Sequence, residues 1–138
     1  MSSLLNPSVI GSWSRGCDVA IHVYRLLPDL NDRGFADRII ANAFTIPERI
    51  AAAFNAQQWT QRQEALNESL EALAVLQTQL YLAAECGMLP AEHLAAICHD
   101  ADALTRQLLA SRSLSRRRIS EILARPFLVI PRTIFRLS

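Results

Sequence analysis

Three clusters in this chain carry side chains able to do chemistry, and each has a spacing that can be tested against a mechanism. Cys17 and His22 lie five residues apart, as do His93 and Cys98, with His99 following and Cys86 shortly before. A thiol beside an imidazole is the pairing of a cysteine nucleophile with its base, and the same two residue types ligate zinc. Neither chemistry fits well. Five positions along a helix rotate two side chains apart by roughly 140°. No third group is evident to orient the base, and no Cys-x-x-Cys pair opens a zinc site. Glu64, Glu68 and Glu71 share one helical face, yet no Glu in the chain is followed three residues later by His. Carboxylate-bridged metal pairs in helical bundles use that Glu-x-x-His motif. Four scattered glycines, Gly11, Gly16, Gly34 and Gly87, make no phosphate loop. The expectation is therefore no catalytic residue, no metal and no cofactor. His22 reads as a core-edge histidine, and the thiols read as reduced.

The third cluster is cationic. Residues 1–111 contain seven Arg against twelve Asp and Glu, a net −5, whereas residues 112–138 contain seven Arg against Glu121 alone, a net +6. Arg112, Arg116, Arg117, Arg118 and Arg125 are the candidate nucleic-acid-binding residues, because guanidinium groups bond phosphates in pairs and association releases counterions. Two other readings compete. The basic tail can dock on the acidic body of its own or a neighbouring chain, or it can meet an anionic membrane or protein surface. Few aromatics lie near the patch, which argues against recognition of single strands by base stacking.

These residues need elements to hold them. With 138 residues, 51% of them hydrophobic, 7% aromatic and only four glycines, the composition favours helices around one core. No apolar run reaches the roughly 20 residues that span a bilayer. The opening Met1-Ser2-Ser3-Leu4-Leu5 lacks the basic start and long apolar stretch of a signal peptide, so a cytoplasmic chain is expected.

Four helical stripes follow from the spacing. Val19, Val23, Leu26 and Leu30 mark a first helix from about Ser12 to Leu27, ended by Pro28 and the Asn31-Asp32-Arg33-Gly34 cluster. Phe35, Ile39, Ala43, Ile46, Ile50 and Ala53 mark a second, over roughly residues 34–55. It crosses Pro47, which cannot donate to the carbonyl of Ala43. The pattern predicts one helix kinked there, or else two short helices meeting near Thr45. Thr60-x-x-Gln63 matches a capping box opening a third helix, with the stripe Leu66, Leu70, Leu73, Gln77, Leu80 and Ala84, an apolar face widened by Ala72, Leu76 and Ala83, and a stop at Gly87. Pro90 suits the first turn of a fourth, striped by Leu94, Ile97, Ala101, Leu104 and Leu108.

Short connections make consecutive helices antiparallel, so the fold class is all-α, an up-and-down antiparallel four-helix bundle with a basic C-terminal tail. The division is residues 1–111 as the bundle and 112–138 as an Arg-rich extension. Within the extension, residues 115–124 read as a short basic helix. Phe127-Leu128-Val129-Ile130-Pro131 reads as an extended arm packed on its own bundle or a neighbour's.

On these residues the chain resembles the small bacterial four-helix-bundle proteins encoded by intervening sequences in large-subunit ribosomal RNA genes. The accessory variability determinant of diversity-generating retroelements is a distant relative of that group. Thr45, Ile46, Pro47, Ile50 and Ala51 fit the group's Ser-Ile-Pro-x-Asn-Ile-Ala-Glu-Gly core. Leu73, Leu76, Gln79, Leu80, Ala83, Gly87 and Leu89 fall in register with its third helix. The polar positions depart: Arg49 and Ala52 replace Asn and Glu, Ala53 replaces Gly, Ala41 replaces a basic residue and Val75 replaces Glu. The resemblance implies a homopentamer and a nucleic-acid-processing partner such as a reverse transcriptase. With the Arg-rich tail and the missing catalytic constellation, the expectation is a non-enzymatic homo-oligomeric scaffold that binds RNA, DNA or such a partner. The alternative is a structural, protein-binding oligomer whose tails serve assembly.

Overall fold

The computed structural model describes residues 7–28 and 30–123, with side chains from 10 to 112 apart from residue 29. These residues form four helices and no strand: α1 (Pro7–Leu26), α2 (Arg33–Asn55), α3 (Trp59–Glu85) and α4 (Ala91–Leu123). Each helix packs on two neighbours. α1 lies against α2 and α4, and α3 against α2 and α4, with α2 on α3 the most extensive contact. The core between them contains Val23, Leu27, Ile39, Ile46, Ile50, Leu66, Leu73, Leu76, Leu80, Ile97, Leu104 and Leu108 among its larger side chains.

α1 starts more than a turn before the residue its stripe predicts. Pro7 is its first helical residue, a position that tolerates proline because that N–H has no helical partner anyway. At the other end the helix stops at Leu26, and a turn bond from the Leu30 N–H to the Leu27 carbonyl brings the chain round. Leu27, just past the helix, is consequently the buried residue, and Leu26 is only half-buried.

The α1–α2 contact is close at one point. A Cβ built on the buried Gly16 would stand 3.1 Å from Ile50 Cδ1 and 3.5 Å from the Cα of Pro47. The bare backbone of α1 therefore lies on α2 beside its proline. Gly16→Leu is expected to lower stability by about 1–3 kcal/mol through overpacking, measured by urea denaturation.

α2 runs through Pro47 as a single helix, which sets aside two short helices meeting near Thr45. The Thr45 hydroxyl donates back to the Ala41 carbonyl at 3.0 Å rather than to that of Ala43. Asp32 caps the first turn by accepting the Phe35 N–H at 2.9 Å. All of the predicted stripe is buried except Phe35, which is partly covered, and Ala36 takes its inward place.

α3 corrects the sequence reading in two respects. It begins at Trp59, and its capping residue is Gln58, with no side-chain cap. Thr60 thus lies inside the helix and Gln63 Nε2 is buried without a hydrogen-bond partner, so the capping box is not formed. The buried face is also rotated. Ala65 and Ser69 join Leu66, Ala72, Leu73, Leu76, Leu80 and Ala83 inside, while Leu70, Gln77 and Ala84 are half-covered. The Asn42 side chain donates across the α2–α3 contact to the Ala72 carbonyl at 2.8 Å and to Gln79 Oε1 at 3.3 Å.

Gly87 ends α3 as expected, with φ at +75°. The Met88 N–H reaches the Ala83 carbonyl at 2.8 Å and the Gly87 N–H the Ala84 carbonyl at 3.0 Å, the two bonds of a Schellman cap. Pro90 stands one residue before α4 and accepts the His93 N–H through its carbonyl.

α4 differs most from expectation. The backbone stays helical across Ser111 to Leu123, 33 residues in all, so there is no separate short basic helix. A break was inferred from the change of composition at residue 112, but neither proline nor glycine stands there to enforce one.

Candidate nucleic-acid interface

Four of the candidate arginines, Arg112, Arg116, Arg117 and Arg118, fall at one end of the bundle. Gln77 Nε2 donates to Asp102 at 2.8 Å, and Arg112 donates through one terminal nitrogen to Asn67 Oδ1 at 3.0 Å. As α3 numbers fall, α4 numbers rise. Continuing that register carries residues 116–118 of α4 alongside the first turn of α3.

Arg112 is half-buried and held to α3. Arg116, Arg117 and Arg118 lie on the described backbone of α4, but their side chains are outside the described set. Arg125 and the arm Phe127-Leu128-Val129-Ile130-Pro131 lie outside the described residues altogether. The structure therefore places four of the five candidates on one helix and fixes the side-chain partner of one. Three consecutive helical positions span roughly 200° around the axis, so an Arg triplet on α4 is a band and not a single stripe.

The acidic counterpart is nearby in sequence. Asn67 is bracketed on α3 by Glu64, Glu68 and Glu71. Of these, Glu68 pairs with Arg49 of α2 at 3.4 Å, with both side chains half-buried and still open to solvent, so that bond contributes little. Arg49 and Glu68 line an open cleft of about 390 Å³ between α2 and α3, together with Asn55, Gln61 and Glu64. Spacing alone did not point to this cleft, because its residues come from two helices. Ala52, where the resembling group carries Glu, also lines it.

Among the described residues, no three His, Cys, Asp or Glu side chains converge as a metal site would require. Among the described residues, no hydrogen bond joins Cys17 to His22, or His93 to Cys98. Burial raises the Cys17 thiol above its ordinary value and Asp18 adds to the shift; burial and then Asp102 do the same for Cys98. Both thiols thus stay protonated, the opposite of what a nucleophile needs. Cys86 is exposed. A disulfide reagent at mildly alkaline pH is expected to label Cys86 first, with Cys17 and Cys98 slower by about fivefold or more, as read by mass spectrometry of the labelled peptides.

No described helix is long and apolar enough to cross a membrane. Neither protein-family models nor curated proteins give a match to this chain.

Proposed function

We propose that this chain is a non-enzymatic scaffold, an up-and-down four-helix bundle that assembles with copies of itself and engages nucleic acid through the Arg-rich end of α4. The topology is supported by the pairing of side chains along each contact. Gly16 lies at Pro47 and Tyr24 at Phe44, Asn42 meets Ala72 and Arg49 meets Glu68, and Gln77 meets Asp102 and Arg112 meets Asn67. In each pair of helices, one numbering rises as the other falls.

The observation that carries the nucleic-acid reading is the continuity of α4. Arg112, Arg116, Arg117 and Arg118 belong to the same helix as the core residues Ile97, Leu104 and Leu108, so their backbone continues an element anchored in the core. A helix that carries several arginines suits a phosphate backbone, which guanidinium groups bond in pairs. Self-association is supported by Val75, Tyr81 and Leu82, which stay exposed on the outer side of α3. The resemblance to the intervening-sequence proteins adds a homopentamer and a partner such as a reverse transcriptase. Five chains would present about 35 Arg in one particle, and weak contacts would multiply by avidity.

The test is binding of a mixed RNA and DNA panel to the full chain across a salt series, beside a measurement of particle mass. Tight binding that weakens linearly in log salt is expected, on a particle of about 77 kDa, five times the chain mass. A monomeric particle would sink the assembly, and no binding at low salt would sink the nucleic-acid role. One observation favours the alternative, a protein-binding or purely structural oligomer with a tail used in assembly. Arg112 already spends a donor on Asn67, in a stretch of α3 rich in glutamate.

A further inference from the structure

An apolar groove of about 400 Å³ runs between α1 and α2, lined by Trp13, Cys17, Ile21, Phe44 and Pro47, with Glu48 as its one charged side chain. The Tyr24 ring stands 6.1 Å from that of Phe44 and extends the apolar face along α1. Trp13, Ile21, Tyr24 and Phe44 are each 41–56% exposed. A second apolar face lies on α3, where Val75, Tyr81 and Leu82 are 48–55% exposed. The first face is a depression between two helices, and the second is a ridge on one. α3 packs on α2 and α4 and so stands diagonally across the bundle from α1. The ridge therefore cannot fill the groove of its own chain.

We infer that the groove of each chain receives the α3 ridge of the next copy, in a head-to-tail contact. This rests on the self-association proposed above and names the two faces that make it. Coverage favours this pairing over a face meeting its own twin. Groove against groove leaves every ridge in water, and ridge against ridge leaves every groove; ridge in groove covers both with one contact. Such a contact repeats from copy to copy and closes into a ring where each step turns the row.

Size and shape agree with it. At roughly 200–250 Å² for each large side chain, the exposed fractions leave about 450 Å² on the groove and about 300 Å² on the ridge. Apolar atoms make up a little over half of a typical interface, so the contact totals about 1,300 Å², within the range of stable protein pairs. Trp13 to Ile21 spans about 12 Å of α1, and Val75 to Leu82 about 10 Å of α3. Val75, Thr78 and Leu82 lie within about 60° of one another around α3, so they form one row. Tyr81 beside them brings a hydroxyl, a donor for the Glu48 carboxylate at the groove.

Two measurements on the full chain test it. Ile21→Asp spoils the groove and Leu82→Asp the ridge. Both positions are exposed, so helicity should stay unchanged in each variant. Alone, each variant keeps one sound face with nothing to meet it and is expected to run as a monomer of 15.4 kDa. Mixed in equal amounts at high concentration, the two should form a one-to-one pair of about 31 kDa and nothing larger, read by light scattering. A mixture that stays monomeric while the native chain assembles, or a single variant that pairs with itself, would overturn the inference alone. A monomeric native chain would overturn the self-association as well.

The second measurement needs no disrupted face. In a Cys86→Ser, Cys98→Ala background, Thr78→Cys stands midway along the ridge, as Cys17 stands midway along the groove. Oxidation with diamide should give a ladder of disulfide-linked species beyond the dimer on a gel without reductant, with Cys17 joined to position 78 by peptide mapping. Dimers only, or no link at all, would count against the assignment, since a face that meets its own twin links chains only in pairs.

Discussion

Replacing Arg116, Arg117 and Arg118 together by glutamine is expected to weaken binding to duplex nucleic acid at least tenfold while leaving the fold intact. Each phosphate neutralised by a protein cation releases counterions, and the slope of log affinity against log salt changes by about 0.9 per phosphate on a duplex. A band of three arginines covers roughly 200° of the helix, so not all three can face one ligand strand. The slope should therefore flatten by about 1–2 and not by the full three phosphates' worth. Filter binding or fluorescence anisotropy from low to moderate salt reads both quantities. Unchanged affinity and slope would retire the α4 end as an interface. Lost affinity with an unchanged slope would mean that the substitutions act on structure and not on phosphate contact. Glutamine keeps the helix propensity of arginine closely enough that such a structural loss would itself be unexpected.

Leu76→Ala is expected to cost about 3–5 kcal/mol, and Leu82→Ala almost nothing in an isolated chain. The two leucines lie six residues apart on α3, yet Leu76 has no exposed surface and Leu82 is 48% exposed. Truncating Leu76 removes buried methyl groups and leaves a cavity among Leu73, Leu80 and the facing helices, whereas Leu82 already meets solvent. Urea denaturation of both variants at one protein concentration supplies the comparison. A Leu82→Ala variant that loses stability in a concentration-dependent way would locate an interface between copies on that face of α3.

Much of the architecture was legible because apolar spacing encodes it directly. Ile39, Ala43, Ile46, Ile50 and Ala53 were read as inward and are inward. The glycine stop at residue 87 was equally readable, since only a left-handed residue completes that cap. The failures share a physical cause. The third helix was read along its leucines, with Ala72, Leu76 and Ala83 beside them, but Ala65 and Ser69 are buried as well, because small side chains can be enclosed without contributing to an apolar stripe. The Thr60 capping box matched a pattern, while the helix is capped two residues earlier, at Gln58, without a side-chain bond. At the candidate interface, composition located the arginines but could not show that α4 continues through them. Nor could it show that Arg112 turns to Asn67, a contact across 45 positions of sequence. The α2–α3 cleft and the α1–α2 groove were invisible for the same reason: each is made by side chains distant in sequence.

The uninterrupted α4 has a thermodynamic consequence. A helix end opens by fraying, and amide hydrogens there exchange with solvent at a rate set by the local opening free energy. Because the arginine-bearing turns continue the helix that carries Ile97, Leu104 and Leu108, any ligand that prefers their helical form must suppress that fraying. A ligand present at about a hundred times its dissociation constant adds roughly 2.7 kcal/mol to the form it binds. Deuterium uptake between residues 112 and 123 would then slow in its presence, and protection would extend along α4 toward the core. The end of this helix would report occupancy in the exchange rates of its own backbone.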